Sequence, residues 1–224
     1  MPGANKIACI FLGAPGSGKG TQAKKLESKL GMPHISTGDM LRQEIDRASQ
    51  LGLQVKSVLA SGALVDDSLM LEVLRARLTQ NDTQKGFILD GYPRNLPQAK
   101  ALENLLTGMG ITRVQVLYLS LAQDALVQRL VGRLSCPKCG TVFHKEFNKP
   151  KVSDTCDNCG HSPLQHRKDD SEDTAVQRLG IFDVQTKPLI EYYKQKNLLH
   201  EVNAAQDMDK VESELLRALK VKGK

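Results

Sequence analysis

The sequence predicts an α/β fold, a doubly wound parallel sheet, and three observations carry that expectation. A continuous apolar run, Ile7 to Leu12, ends at a glycine-rich turn and is followed by Ala23, Leu26 and Leu30 at helical spacing. The same strand-then-helix pattern returns along the chain, as a parallel sheet with crossover helices requires. The turn itself, GAPGSGKGT from Gly13 to Thr21, has the composition of a phosphate-binding loop.

Taken in order, the first run is short, unbroken and bounded by glycine, which marks a buried strand, and the periodic stretch after it is an amphipathic helix. Phe87-Ile88-Leu89 ends at Asp90-Gly91, Val114 to Leu121 precedes another helical stretch, and Leu198 to Val202 is a short late run. Two segments break the alternation. Residues 36–65 are helical in pattern, with no convincing strand, and are punctuated by Gly52 and Gly62. Residues 134–170 lose helical periodicity and gain four Cys and three Pro. The expected organisation is a core of 1–35, 66–133 and 171–224 carrying two inserts, 36–65 and 134–170. Apart from the basic end, Lys220-Val-Lys-Gly-Lys224, there is no low-complexity tail, and no internal repeat is visible.

With 224 residues and 40% hydrophobic content the chain is long enough to bury a sizeable core. A net charge of +6 suits nucleic acid, a membrane surface or polyanionic small molecules. Aromatic content of 4% and the absence of Trp leave few platforms for stacking single-stranded bases, so the positive excess points to phosphates. The apolar run after MPGANK is too short for a signal sequence or a membrane span, and a cytoplasmic location is expected. Five Cys in that compartment read first as metal ligands or free thiols.

In the loop, Gly13, Gly16, Gly18 and Gly20 let backbone N–H groups converge on an anion at the start of a helix, and Lys19 adds a full charge. The general pattern continues with a Ser or Thr whose hydroxyl meets magnesium; here that position is Gly20. Farther on lie arginines in number. Arg129 and Arg133 are four apart in DALVQRLVGR, where Leu126, Val127, Leu130 and Val131 are expected to form a buried stripe and leave both guanidinium groups on the other helix face. Arg167 and Arg178 flank the end of the second insert, and Arg42 and Arg94 sit in two further motifs. A phosphate acceptor presents an anionic oxygen and needs no general base, but joining two polyanions demands such a cage of cations.

Cys136-x2-Cys139 and Cys156-x2-Cys159 are separated by sixteen residues, and each pair is followed by glycine. That spacing fits a structural zinc site closed by four thiolates. His144, His161 and His166 are then bystanders, and Cys9 belongs to the core.

The segments GAPGSGKGT, ISTGDMLR (Ile35 to Arg42) and FILDGYPRNLPQ (Phe87 to Gln98) closely resemble, in order and spacing, the signature segments of adenylate kinases, and the resemblance covers essentially the whole chain. It implies the nucleoside monophosphate kinase fold, with 36–65 as AMP-binding insert and 134–170 as a lid of the long, four-cysteine, bacterial type. It also implies reversible, Mg2+-dependent phosphoryl transfer from ATP to AMP, giving two ADP. Gly16, Ser17, Gly18, Lys19, Gly20 and Thr21, with Arg129 and Arg133, match ATP-binding positions. Thr37, Arg42, Leu64, Val65, Gly91, Arg94, Gln98, Arg167 and Arg178 match the AMP side. Catalysis falls to Lys19, Arg94, Arg133, Arg167 and Arg178, while Asp90 reaches magnesium through water and Asp169 and Asp170 order the lid. Asn95 departs from the Thr that many relatives carry. The resemblance further implies a structural zinc, a monomer, and no nucleic-acid or membrane partner. Rival readings are a kinase of the same fold for another nucleoside monophosphate, and a zinc-containing ATPase driven by nucleic acid.

Overall fold

Ile7–Leu12 forms strand β1 with every side chain buried, because an all-apolar run is stable only in a strand covered on both faces. The computed structural model describes residues 6–220, so the basic end beyond Lys220 lies outside the described residues. β1 stands at the centre of a five-stranded sheet. On one side it pairs in parallel with β3 (Gly86–Asp90), Ile7 opposite Gly86, and β2 (His34–Ser36) lies beyond. On the other it pairs with β4 (Arg113–Ser120), Ile7 opposite Arg113, and β7 (Leu199–Asn203) forms the far edge. The order β2-β3-β1-β4-β7 is the doubly wound arrangement expected.

Strand periodicity sends alternate β1 residues to opposite faces. Ala8, Ile10 and Leu12 join a core with α4 (Asp67–Leu78), α5 (Leu96–Gly108) and α8 (Pro188–Gln195). Ile7, Cys9 and Phe11 join another with α1 (Lys19–Leu30) and α9 (Met208–Lys220). Cys9 is thus a core residue, as read from the sequence. No helix among the described residues is long and apolar enough to cross a membrane.

Residues 36–65 hold α2 (Thr37–Asp46) and α3 (Gln50–Ala60). Each has a serine N-cap: Ser36 Oγ accepts from Asp39 N at 3.2 Å and Ser49 Oγ from Gly52 N at 3.0 Å. A Cβ at Gly52 would lie 2.1 Å from the Glu44 carbonyl oxygen, so only glycine lets α3 start this close to the end of α2.

After α6 (Gln123–Val131) the chain enters an antiparallel hairpin, β5 (Arg133–Ser135) with β6 (Val142–His144). Here the structure corrects two sequence expectations. Arg133 does not share a helix face with Arg129: α6 stops at Val131, Gly132 turns the chain against the His144 ring, and Arg133 opens β5. Val131 is also outside the buried stripe, at 39% exposed, whereas Leu126 and Leu130 are buried. The hairpin is tied to the end of its segment by mutual backbone bonds between Ser135 and Gln165, and encloses a separate small core of Cys136, Phe143, Cys156 and Leu164. A short helical turn, Lys168–Asp170, leads into α7 (Glu172–Ile181), which continues through a wide π turn at Phe182–Thr186 into α8.

Candidate active site

The loop at the end of β1 is pressed between two neighbours. A Cβ at Gly13 would lie 2.8 Å from the Leu119 carbonyl oxygen of β4, and one at Gly16 would lie 2.9 Å from that of Leu126 in α6. Both glycines have positive φ, 148° and 87°, so the path of the loop excludes ordinary side chains. Gly18, also left-handed, starts α1. Lys19 folds back inside the loop, its Nζ donating to Gly13 O at 2.8 Å and Ala14 O at 2.9 Å. Burial pushes this lysine down to about 8; Asp90 opposes that fall, and Arg94, Arg178 and Arg133 add to it. Ser17 Oγ is buried without a hydrogen-bond partner among the described residues.

A Cβ at Gly20 would stand in ordinary contact, 3.6 Å, with Asp90 Oδ2, so the β3 carboxylate lies against the first turn of α1. Burial works against the charge on Asp90, but His34, at 3.3 Å from Oδ2, and Lys19 overcome it and hold the carboxyl below its usual range. Asp90 is therefore an ionised, buried oxygen donor beside the phosphate loop. His34 was not singled out from the sequence, since a lone histidine ahead of a motif carries no signal of its own.

Across a cavity of about 460 Å3 the loop faces the arginines. Arg133 and Arg178 converge on Asp170: Arg133 Nε donates to Oδ2 at 2.7 Å, and Arg178 Nη1 donates to Oδ1 at 2.9 Å. Arg178 also lies 3.1 Å from Asp169 Oδ2. Arg42 donates to Asp39 at 2.5 Å and stands 3.5 Å from Asp169, while Arg167 reaches Asp39 at 3.3 Å and Ser135 Oγ at 3.0 Å. Burial disfavours the charge on Asp39, yet Arg42 and Arg167 hold it well below the ordinary carboxylate range. Burial and neighbouring arginines push Arg167 down to about 10.

Arg94 differs from these. Its Nε donates to Gly91 O at 2.8 Å, and among the described residues it has no carboxylate partner within ion-pair distance. Burial lowers it to about 10, Arg178 and Arg42 adding repulsion. A guanidinium in that position remains charged at neutral pH, with Asp90 and Asp169 offsetting it only from beyond ion-pair distance among the described residues, which suits an anion subsite. Arg129 lines the same cavity, partly exposed.

A smaller recess opens beside Arg94, lined by Thr37, Leu64, Val65, Gly91 and Gln98. Thr37 Oγ1 donates to Asp90 O at 3.4 Å. Gln98 is 2% exposed; its Oε1 accepts from Arg94 N at 2.7 Å and its Nε2 donates to Asp67 Oδ1 at 2.7 Å. At the other end of the cavity, Val142, Phe143, His144 and Phe147 complete the wall. Sequence reading missed them, because two three-residue strands leave no periodicity to detect. It also missed Asp39 and Asp67, whose importance is visible only through the cations and amides they meet in space.

The four cysteines come together, with all Sγ atoms within 4.8 Å of one another. Two equivalent turns deliver them: Gly140 N donates to Cys136 O at 2.8 Å, Gly160 N donates to Cys156 O at 2.9 Å, and both glycines are left-handed. Sγ separations of 3.6 Å for Cys136–Cys159 and 3.5 Å for Cys139–Cys156 approach the edge of a tetrahedron with metal–sulfur bonds of about 2.3 Å. None of the three nearby histidines belongs to the group, as the sequence suggested.

A glycine-rich loop over a lysine, a buried carboxylate and an arginine cage reaching a second recess define a phosphotransferase of the P-loop class. The sequence pattern of the adenylate kinase family matches residues 11–198. The chain is 45% identical to the adenylate kinase of Syntrophotalea carbinolica over 94% of its own length and 97% of the relative's. It is 42% identical to that of Methanocella arvoryzae and 43% identical to that of a Geobacillus species, each over 94% of this chain and 97% of the relative. The chain belongs to the adenylate kinase family.

Proposed function

We propose that this chain catalyses reversible, Mg2+-dependent transfer of the terminal phosphoryl group of ATP to AMP, giving two ADP. The observation that carries the reading is Arg94: a buried cation without a carboxylate partner among the described residues, standing between the phosphate loop and the Gln98 recess. In this reading the loop residues Gly16 to Thr21, with Arg129 and Arg133, hold ATP. Arg42, Arg94, Thr37, Leu64, Val65, Gly91 and Gln98 hold AMP, and Arg167 and Arg178 reach the phosphates from the lid side.

The chemistry these residues supply is positioning and charge. Lys19 and the arginines draw two polyanions together and stabilise charge on the equatorial oxygens of the transferring group. The acceptor is already an anion, so no side chain need remove a proton from it. Magnesium, when bound with ATP, would neutralise the phosphates, and Asp90, ionised and beside Gly20, would hold it through water. The quartet Cys136, Cys139, Cys156 and Cys159 fits structural zinc, with no position left open for substrate.

Residues 36–65 and 134–170 act as closing inserts on the core 1–35, 66–133 and 171–224, and exclude water so that phosphate is transferred and not hydrolysed. The enzyme works as a cytoplasmic monomer. A panel of acceptors with ATP tests the assignment: AMP should give the highest kcat/KM, and CMP or UMP outrunning AMP would overturn it. Stimulation of ATP hydrolysis by DNA or RNA would favour the nucleic-acid-driven alternative.

A further inference from the structure

At the N-termini of α4 and α5 three side chains and two backbone N–H groups form a hydrogen-bonded group. Asp67 Oδ1 accepts from Gln98 Nε2 at 2.7 Å, and Asn95 Nδ2 donates to Asp67 Oδ1 and Oδ2 at 3.1 and 3.2 Å. Asn95 Oδ1 accepts from Gln98 N at 2.8 Å and so caps α5. Gln98 Oε1 accepts from Arg94 N at 2.7 Å.

The two ends of the Gln98 carboxamide are chemically unequal, and so are its partners. A carboxylate only accepts and a backbone N–H only donates, so Nε2 must face Asp67 and Oε1 must face Arg94 N. The reversed amide would set oxygen against oxygen and N–H against N–H in a buried site. Asp67 itself cannot swing away, because Asn95 grips both of its oxygens.

Gln98 lines the recess that the proposed function gives to the acceptor base. Each amide end keeps one bonding position: a second N–H on Nε2 and a second lone pair on Oε1. A donor beside an acceptor in that fixed sense complements the adenine edge, where N1 accepts and the 6-amino group donates. Hypoxanthine and guanine present the opposite pattern, with N1–H and a 6-oxo group. The hypoxanthine nucleotide has nearly the same shape as AMP and would be refused on polarity alone.

We propose that Asp67 is a positioning residue that fixes the sense of the Gln98 carboxamide, and that this fixes acceptor specificity for a 6-amino purine over a 6-oxo purine. The inference rests on the placement of Gln98 against the acceptor base. Asp67 touches no substrate; it acts through Gln98.

The experiment is steady-state kinetics with AMP and IMP as acceptors, on the wild type and on Asp67→Ala, Asp67→Leu, Asp67→Asn and Gln98→Ala. Asp67→Ala should raise the KM for AMP by about tenfold, leave the KM for ATP within about twofold, and shrink the AMP-over-IMP ratio of kcat/KM by about tenfold or more. Asp67→Asn, whose carbonyl still accepts from Gln98, should recover most of that ratio, and Asp67→Leu, similar in size but without an acceptor, repeats the alanine test should that variant fold poorly. A lowered thermal midpoint with an unchanged AMP-over-IMP ratio in Asp67→Ala or Asp67→Leu would overturn the proposal and leave Asp67 a helix-terminus residue only. An unchanged ratio in Gln98→Ala would overturn the placement of Gln98 as well, whereas a changed ratio there with none at Asp67 would sink this inference alone.

Discussion

Arg133 and Asp170 face each other along two bonds. Nε donates to Oδ2 at 2.7 Å, Nη2 donates to Oδ1, and Arg178 Nη1 reaches that same Oδ1 at 2.9 Å. Two arginines are thus held side by side on one buried carboxylate, and both also line the cavity that the phosphate loop lines. Like charges so close are stable only while an anion lies between them, and phosphate supplies further anions on the cavity side.

Arg133→Ala and Arg178→Ala are therefore expected to lower kcat by ~10^3-fold or more, as arginines that stabilise transition-state charge do. Arg42→Ala should instead mainly raise the KM for AMP, since Arg42 sits on α2 in the proposed AMP-binding insert. Single-variant kinetics decide the split. A defect confined to AMP binding in Arg133→Ala would contradict it.

Lys19→Met should abolish turnover without unfolding the chain, because the backbone cradle needs no ammonium to keep its shape. Circular dichroism and a melting curve alongside the assay make the test, and near-normal turnover in a folded variant would refute the role of Lys19.

Lys19 also carries a proton signature. Its value in the free fold, about 8, lies below the ordinary 10.5 because burial disfavours the charge. Between those values the unfolded chain holds a proton that the fold has released, so this group makes stability rise with pH across that window. Phosphates brought to Lys19 reverse the shift. Binding of a bisubstrate analogue joining two adenosines through five phosphates should take up a fraction of a proton at pH 8.5, and less at pH 7. Calorimetry in buffers of different ionisation enthalpy reads it, and the uptake should vanish in Lys19→Met.

Metal removal should act on stability more than on chemistry. Four thiolates close the site, and binding energy of ~10 kcal/mol or more in such modules is largely folding energy. Chelation is expected to lower the thermal midpoint and loosen 134–170, with a smaller fall in kcat well below that midpoint, and Cys139→Ser should behave alike. Elemental analysis should find one zinc per chain. Lost chemistry in a fully folded, rigid metal-free lid would show the metal to be catalytic.

Two glycines make a matched pair. A Cβ at Gly132 would sit 2.3 Å from His144 Nε2, in a ring fixed by Gln128 O and by the N–H groups of Glu146 and Phe147. At Gly180, inside α7, a Cβ meets nothing within 4 Å. Gly132→Ala should destabilise by about 1–3 kcal/mol through overpacking, and raise the KM for ATP as the cavity wall shifts. Gly180→Ala should stabilise by up to about 1 kcal/mol through helix propensity. Differential scanning calorimetry of the two variants settles it; equal shifts would mean that the His144 contact is slack.

How much of this was legible in the residues depended on length and locality. The runs around Ile10, Leu89 and Leu117 announced their strands because full burial demands unbroken apolar character, and the loop announced itself because backbone anion binding demands glycine. β2 and the β5–β6 hairpin were not legible: each strand has three residues, too few for a period, and they are set by pairing and by a four-cysteine cluster. Arg133 was assigned to the helix because the apolar spacing runs on through Val131, and only the packing of Gly132 on His144 ends it. The arginines could be found by motif. Asp169 and Asp170 came with the lid resemblance, but Asp39 could not be found, since its pairing with Arg167 joins positions far apart in the chain.

The central place of β1 sets an order of assembly. It leaves a ribosome ahead of its partners: Ile7 finds its neighbours only at Gly86 and Arg113, and the sheet is finished by Leu199 opposite Val116. During synthesis the most apolar strand must wait, unpaired, for most of the chain to follow. Non-local pairing of this kind folds slowly and leaves adhesive surface open meanwhile. The nascent chain is therefore most exposed to aggregation before β4 is made, and a truncation ending ahead of Arg113 should be recovered in inclusion bodies or bound to chaperones.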